Sequence, residues 1–317
     1  MVTVYATVRD KHGKIVPTLN KENFTLAEDE HPQTISYFVR ESDLPLTLGL
    51  LVDTSLSQAS VLDSERSASF TFLDHMMRED KDHAFVIHFD REVELLQDVT
   101  QSKPKLQAAL QLLSTSQADG GQTQSSGGRG QRRNYGGAGT HLYDAIYLAS
   151  HDVIASQKNR KAIFVLTDGV DRGSKETLEE AIQAAQRADA AVYALYFPGT
   201  GSSFGRGGYG HGGGMGRGGG GGGYPGSHRG GYPQEERADG KKVLEKLSTE
   251  TGGQLFEISK KLPIEQAYAE AEEELRNQYS LGYTPAPPDT DAGYHRIKLT
   301  VDQKDDSVQA RDGYYSD

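Results

Sequence analysis

The sequence predicts an α/β protein: a Rossmann-like domain with a mostly parallel central sheet and helices on both faces, inserted in a small all-β sandwich-like domain formed by both termini. Three observations carry this expectation. Residues 1–44 hold runs that alternate apolar and polar side chains with period two, and residues 278–317 do the same. Residues 45–277 instead trade short apolar runs for segments of helical periodicity, a pattern that builds a parallel sheet covered on both faces. Neither β-rich end has enough strands to cover a core alone, so the two ends are expected to join.

In chain order, Val2, Val4, Ala6 and Val8 alternate with Thr3, Tyr5, Thr7 and Arg9 as a half-buried strand, and Lys11-His12-Gly13-Lys14 is its turn. Phe24-Thr25-Leu26-Ala27-Glu28 and Thr34-Ile35-Ser36-Tyr37-Phe38-Val39 read as two further strands, joined across the polar Asp29-Glu30-His31-Pro32-Gln33. The apolar run 46–52 is a buried strand, and Val61, Ala68, Phe72 and Met76 give a helix over about 60–78. Strands 84–89 and 93–97 flank Asp90-Arg91-Glu92 as a hairpin, which places one antiparallel strand at a sheet edge. Helices follow at 105–113 and 141–154, the second with the stripe Leu142, Ala145, Ile146, Ala149 and Val153. Strand 162–166, helix 175–188, strand 191–197, helix 237–249, strand 254–258 and helix 263–277 continue the alternation. Strands 278–283, 294–301 and 307–310 close the chain, separated by Pro285, Pro287-Pro288 and the polar residues 302–306.

Composition narrows the function. With 317 residues, 35% hydrophobic and 25% charged, the chain can bury a substantial core. A net charge of −11 lacks the basic footprint that neutralises phosphates, so no nucleic acid is expected as partner. The absence of cysteine excludes disulfides, thiolate metal sites and a cysteine nucleophile. No apolar run approaches the roughly 18 residues of a membrane span, and Met1-Val2-Thr3-Val4 opens directly as a strand instead of a signal peptide, so either the protein is cytoplasmic or a leader has been trimmed away. Two low-complexity Gly-rich insertions, about 114–139 and 199–232, cannot form packed core and are expected to be disordered and to fringe the sheet rim. Arg129, Arg132, Arg133, Arg206, Arg217 and Arg229 make them basic; a solvated loop outweighs an RNA-binding segment.

Enzymatic signatures lack their context. Gly201-Ser202-Ser203-Phe204-Gly205 has the form G-x-S-x-G and residues 208–213 have the form G-x-G-x-x-G, but both fall in the glycine tract, without the strand-turn-helix each mechanism needs. No Walker lysine and no H-E-x-x-H helix is present. Asp289-Thr290-Asp291-Ala292-Gly293 lacks the later Glu of a calcium loop and reads as an acidic turn.

Asp53-Thr54-Ser55-Leu56-Ser57 sits where the strand 46–52 delivers its carboxyl end, and Thr167-Asp168-Gly169 follows the strand 162–166. Gly139-Thr140-His141 precedes a helix. Ligands bind beyond the carboxyl ends of such strands. Each segment alone is a weak signal: the 53–57 stretch by itself reads more readily as a helix cap, Thr140 as a cap of the following helix and Asp168-Gly169 as a turn. All three in this order, on the correct elements, favour one oxygen cage for a hard cation, drawn from Asp53, Ser55, Ser57, Thr140 and Asp168. His141 and Asp171 lie near the same rim and read as polar loop residues.

The order Asp-x-Ser-x-Ser, then Thr140 before a helix, then Thr-Asp-Gly after a later strand resembles the von Willebrand factor type A (VWA) domain and its metal-ion-dependent adhesion site (MIDAS). The likeness extends to Phe24-Thr25-Leu26-Ala27-Glu28-Asp29, Gln33-Thr34-Ile35-Ser36-Tyr37-Phe38, Leu275-Arg276-Asn277-Gln278-Tyr279-Ser280-Leu281-Gly282-Tyr283 and Ala310-Arg311-Asp312-Gly313-Tyr314-Tyr315, which look like the bacterial VWFA-related family. The chain departs from the common Gly-Ser-Met with Leu56-Ser57-Gln58, and its Gly-rich insertions are unusually long. The resemblance implies a VWA domain over 45–277 flanked by sandwich halves 1–44 and 278–317. It implies Mg²⁺, or alternatively Mn²⁺ or Ca²⁺, held directly by Ser55, Ser57 and Thr140, with Asp53 and Asp168 acting partly through water. It further implies non-catalytic binding of a protein ligand that presents an Asp or Glu carboxylate, in a secreted or cell-envelope protein whose leader has been removed. The alternative function is a Mg²⁺-dependent phosphoester hydrolase or phosphotransferase with Asp53 as nucleophile, although Ser55 stands where its second acidic residue would be.

Overall fold

The computed structural model describes residues 1–41, 44–114, 139–198, 234–286 and 292–316, with the backbone alone at 41 and 234–239. Most of the two Gly-rich insertions, the six arginines named in them, both glycine-tract motifs and the start of the acidic turn at Asp289 lie outside the described residues.

Every residue of strand β5 (Leu46–Asp53) is buried, which a strand achieves only where both faces of its sheet are covered. Its neighbours are β8 (Arg160–Thr167) on one side and β6 (His83–Phe89) on the other, both parallel to it. β9 (Ala190–Tyr196) and β10 (Leu255–Glu257) extend the parallel set, and β7 (Val93–Thr100) closes the opposite edge antiparallel to β6. This six-stranded order, β10-β9-β8-β5-β6-β7, bears out the mostly parallel sheet and the antiparallel edge hairpin.

Alternate strand residues feed two cores. On one face Leu48, Leu50 and Val52 pack with Phe164 against α1 (Leu62–Met76), α2 (Lys103–Gln111) and α6 (Ile264–Arg276). Here the Phe72 and Tyr268 rings stack with centroids 4.1 Å apart, and Ser69 Oγ lies 2.9 Å from Tyr268 Oη. On the other face Leu51, Ile87, Ile163 and Val165 meet α3 (Leu142–Leu148), α4 (Leu178–Arg187) and α5 (Gln234–Thr251). The single helix expected over 141–154 is an α-helix only to Leu148 and continues as a π-helical turn, Ala149–Ile154, whose Ala149, Val153 and Ile154 keep the apolar stripe buried.

The ends of the chain form two four-stranded antiparallel sheets, each mixing strands from both termini. One has the order β13-β1-β11-β4, from Ser307–Ala310, Val2–Arg9, Gln278–Tyr283 and Ile35–Glu41. The other is β14-β12-β2-β3, from Gly313–Ser316, Gly293–Val301, Phe24–Glu28 and His31–Gln33. Val4, Ala6, Val8, Phe24, Leu26, Leu281 and Ile297 share their core, with Tyr279 buried at its centre. The Tyr279 hydroxyl donates to the Val16 carbonyl at 2.5 Å and accepts from the Leu19 amide at 2.9 Å, so the buried phenol is satisfied.

Two strands were not expected. The segment 29–33, read as a polar connection, turns through positive φ at Asp29 and Glu30 and pairs back on β2 as β3. Pro32 is accommodated because β3 is a sheet edge. β14 pairs with β12 within four residues of β13, too short an alternation for period-two reading to separate. Among the described residues no helix is long and apolar enough to cross a membrane.

Candidate metal centre

β5 ends in Asp53, whose side chain has no solvent exposure. The chain then turns, and the Asp53 carboxylate braces that turn by accepting the Ser55 amide through Oδ1 at 2.9 Å. Its Oδ2 accepts the Thr167 hydroxyl of β8, the adjacent strand, at 2.6 Å. Thr167 Oγ1 in turn accepts the Gly169 amide at 3.1 Å, shaping the turn that carries Asp168, and Asp168 Oδ1 accepts the Val170 amide at 3.2 Å. Ser55 Oγ and Ser57 Oγ are 2.9 Å apart. Polar groups thus rise from a buried floor at Asp53, through nearly buried Ser55 and half-buried Asp168, to an exposed rim at Ser57.

Thr140 is brought alongside by backbone pairing. Its amide donates to the Arg172 carbonyl at 3.1 Å and its carbonyl accepts the Arg172 amide at 2.8 Å, tying it to the loop that leaves Asp168. Thr140 is 7% exposed. The His141 amide donates to the Asp90 carbonyl at the β6–β7 turn, fixing the entry to α3. Asp171, expected as a loop residue, accepts the Ser174 hydroxyl at 2.6 Å and the Tyr143 amide at 3.3 Å through one oxygen, while Asp144 accepts the Lys175 and Glu176 amides. These bonds lock the Asp168 loop to the start of α3.

Electrostatics at this edge is one-sided. Burial raises the Asp53 carboxyl from 3.8 to about 7; the hydrogen bonds from Ser55 and Thr167 pull it down and the Asp168 charge adds to the rise. Glu65, in the first turn of α1, was not foreseen as part of the site. It has no solvent exposure, burial raises it to about 9, and the charges acting on it among the described residues are both negative, Asp53 and Asp168. Neither of its carboxylate oxygens has a hydrogen-bond partner among the described residues. The same is true of the amide oxygen and nitrogen of Gln58, which is 1% exposed and follows Ser57 directly. The signal for Glu65 was in the sequence, since it falls in phase with Leu62, Ala68 and Phe72 on the buried face of α1.

Clustered carboxylates, neighbouring hydroxyls and orphaned buried oxygens are a donor set suited to a hard divalent cation, which takes oxygen ligands and offsets negative charge. A second group, Glu28, Asp29 and His295, brings three ligand-type atoms within 4.8 Å of one another. Their own bonds account for that arrangement: His295 Nδ1 lies 3.0 Å from Asp29 Oδ2 and Nε2 lies 3.0 Å from Ser316 Oγ. Asp29 Oδ1 accepts the Arg296 amide at 2.9 Å, and the Tyr283 and Tyr314 hydroxyls donate to Glu28.

No protein-family profile and no curated protein sequence matches the chain. Among solved structures, the chain is similar to the conserved hypothetical protein BatB from Bacteroides thetaiotaomicron at 15% identity and a TM-score of 0.46, over 73% of this chain and 97% of that one. It is similar to proximal thread matrix protein 1 from the mussel byssus, in a structure described as having a zinc-occupied MIDAS motif, at 12% identity and a TM-score of 0.48, over 78% of this chain and 49% of that one. The D319A mutant of the PilB minor pilin from Streptococcus sanguinis is similar at 10% identity and a TM-score of 0.47, over 74% of this chain and 62% of that one. Each is a likeness of architecture.

Proposed function

We propose that the protein is a VWA-type recognition module of the bacterial VWFA-related kind, without catalytic activity, that binds a protein ligand through a divalent cation. The observation that carries this reading is the convergence of Asp53, Ser55, Ser57 and the Thr167-Asp168 turn at the carboxyl edge of adjacent strands, with Thr140 tied to the loop that leaves Asp168. Asp53, Ser55, Ser57, Thr140 and Asp168 would hold the ion, Mg²⁺ in first place and Mn²⁺ or Ca²⁺ as alternatives. When bound, the ion supplies a Lewis-acidic position for a carboxylate, here from an Asp or Glu of the partner protein. Ser55, Ser57 and Thr140 add no charge, which leaves the ion electrophilic toward that carboxylate. The 45–277 span is the recognition unit, the two terminal segments form its β support, and the family resemblance supports a secreted or cell-envelope location.

Phosphoryl transfer by Asp53 is the weaker reading. Both its oxygens are engaged and the residue is fully buried, whereas a nucleophile must reach the phosphorus.

Calorimetric titration with Mg²⁺, Mn²⁺ and Ca²⁺, paired with binding of a labelled Asp-containing peptide in Mg²⁺ and in chelator, tests the proposal. Asp53→Ala is expected to weaken ion binding at least tenfold and to abolish ion-dependent peptide binding, and an Asn-for-Asp peptide is expected not to bind. Unchanged ion affinity in Asp53→Ala would sink it. Turnover of p-nitrophenyl phosphate that disappears in the same variant would favour the enzyme.

A further inference from the structure

Glu65 is hard to explain as a packing residue. It projects from α1 among Leu62, Ala68, Ser69 and Phe72, with no exposure and no hydrogen-bond partner for either oxygen among the described residues. A buried carboxyl group in that condition costs stability whether ionised or neutral, since the neutral acid also needs an acceptor for its proton. A leucine or methionine of similar reach would fill the same volume at no such cost. The charges it feels come from Asp53 and Asp168. Gln58, one residue beyond Ser57, has both its amide atoms buried and without a partner among the described residues as well. Gln58 thus lies in the segment that joins Ser57 to α1, and Glu65 lies in the first turn of α1, where it feels the charges of Asp53 and Asp168.

A hydrated divalent cation resolves the problem that Glu65 poses. Mg²⁺ keeps part of its water shell when protein-bound, and that water needs acceptors. We propose that Glu65 is a sixth functional residue of the cation site, an outer carboxylate that accepts hydrogen bonds from the ion's water of hydration. The inference rests on the ion reading above. Its consequence for recognition is a balance: Glu65 strengthens retention of the ion, while its added negative charge makes the ion a weaker acceptor for the partner's carboxylate. With Glu65 the chain would hold its ion more tightly than the five named ligands alone would.

The test uses the whole chain, freed of metal with chelator, and four forms: wild type, Glu65→Gln, Glu65→Met and Asp53→Ala. Titration with Mg²⁺ and Mn²⁺ gives ion affinity, and thermal melting with and without ion gives stability. Glu65→Gln is expected to weaken ion binding by roughly 10- to 100-fold, the range for loss of a group that orients a metal's ligands, and Glu65→Met at least as much. In the ion-free state both are expected to melt at a higher temperature than wild type at pH 8, and to show a smaller rise on adding ion. That opposition of signs is what a merely structural carboxyl would not produce. Ion affinity within twofold of wild type in both Glu65 variants, with Asp53→Ala still abolishing binding, overturns the role of Glu65 and leaves the ion site standing. No ion binding by wild type overturns both. Loss of the folded spectrum in both ion-free Glu65 variants would also overturn the inference, because the fold itself would then require the carboxylate.

Discussion

Asp53 ends a fully buried strand, and burial there raises its carboxyl from the ordinary 3.8 to about 7. A group whose folded value lies above its unfolded one takes up protons more readily in the folded state, so ionising it opposes folding. The penalty is absent below about pH 4, grows as pH rises through 7, and is constant above; at about 1.4 kcal/mol per tenfold change in proton activity it amounts to about 4 kcal/mol. Glu65, raised to about 9, extends the decline to higher pH. Asp82 has the opposite sign: hydrogen bonds from Arg78, Arg276 and the Leu46 amide hold its carboxyl down at about 2 against the cost of burial. Its contribution is complete above about pH 4 and is lost only as pH falls toward 2, so it adds no slope in the window where Asp53 titrates. Urea denaturation of the ion-free chain between pH 4.5 and 9 should therefore show stability falling with pH. Saturating Mg²⁺ should remove most of the fall. Asp53→Asn should flatten the part below pH 7 and raise ion-free stability at pH 8, since the Thr167 hydroxyl can turn to accept the amide. A rising profile in the ion-free wild type would contradict this account.

At the scale of elements, the Asp168 turn is wedged against α5. Gly169 takes a φ of +75°, and a Cβ on Gly240 would come within 2.5 Å of the Asp168 carbonyl oxygen, a backbone atom that cannot swing aside. Gly240→Ala must push α5 outward or displace the turn. A loss of about 2 kcal/mol in chemical denaturation is expected, together with weaker ion binding, because Asp168 moves with its turn. Unchanged stability would mean that α5 is not seated on the turn. This contact also marks where reading the sequence stopped. Strand ends at Asp53 and Asp168 were legible because each follows an apolar run bounded by a turn, and Thr140 because it precedes a helical stripe. Gly240 sits inside a helix, where nothing local signals a glycine needed by a loop some seventy residues earlier. Thr167 was visible only as a neighbour of Asp168; that its hydroxyl serves Asp53 depends on β5 and β8 lying side by side. Segment 29–33 has the polarity of a connection although it pairs as an edge strand, and propensity alone does not separate an edge strand from a loop.

Across the whole molecule, the terminal sheets are joined to the central one by buried polar bonds as well as by chain continuity from α6 through Asn277 into β11. Glu274 of α6 has no solvent exposure and sits at the junction, and burial raises its carboxyl. It accepts Arg9 Nη2 from the end of β1 at 2.7 Å, the Tyr193 hydroxyl from β9 at 2.8 Å and Gln309 Nε2 from β13 at 3.0 Å. Arg9 also donates to Gln254 at 3.1 Å, Gln309 to the Gly253 carbonyl at 2.7 Å, and Arg311 pairs with Asp189 while donating to the Thr3 carbonyl. One carboxylate therefore closes a three-way contact among a helix of the central region, its sheet and the sheet built from both termini. Removing it leaves the Tyr193 hydroxyl and the Gln309 amide without this acceptor and the Arg9 charge without its counter-ion. Because Arg9 is partly exposed and regains some water, Glu274→Ala should cost about 2 to 3 kcal/mol, below the full range for a broken buried pair. Hydrogen exchange resolved by peptide separates the outcomes. If the junction makes the chain one cooperative unit, β1 and β11 in the terminal sheet and β5 and β8 in the central sheet should lose the same protection in Glu274→Ala. Loss confined to β1 and β11 would instead mean that the central sheet holds its edge, and the proposed cation site on it, without support from the termini.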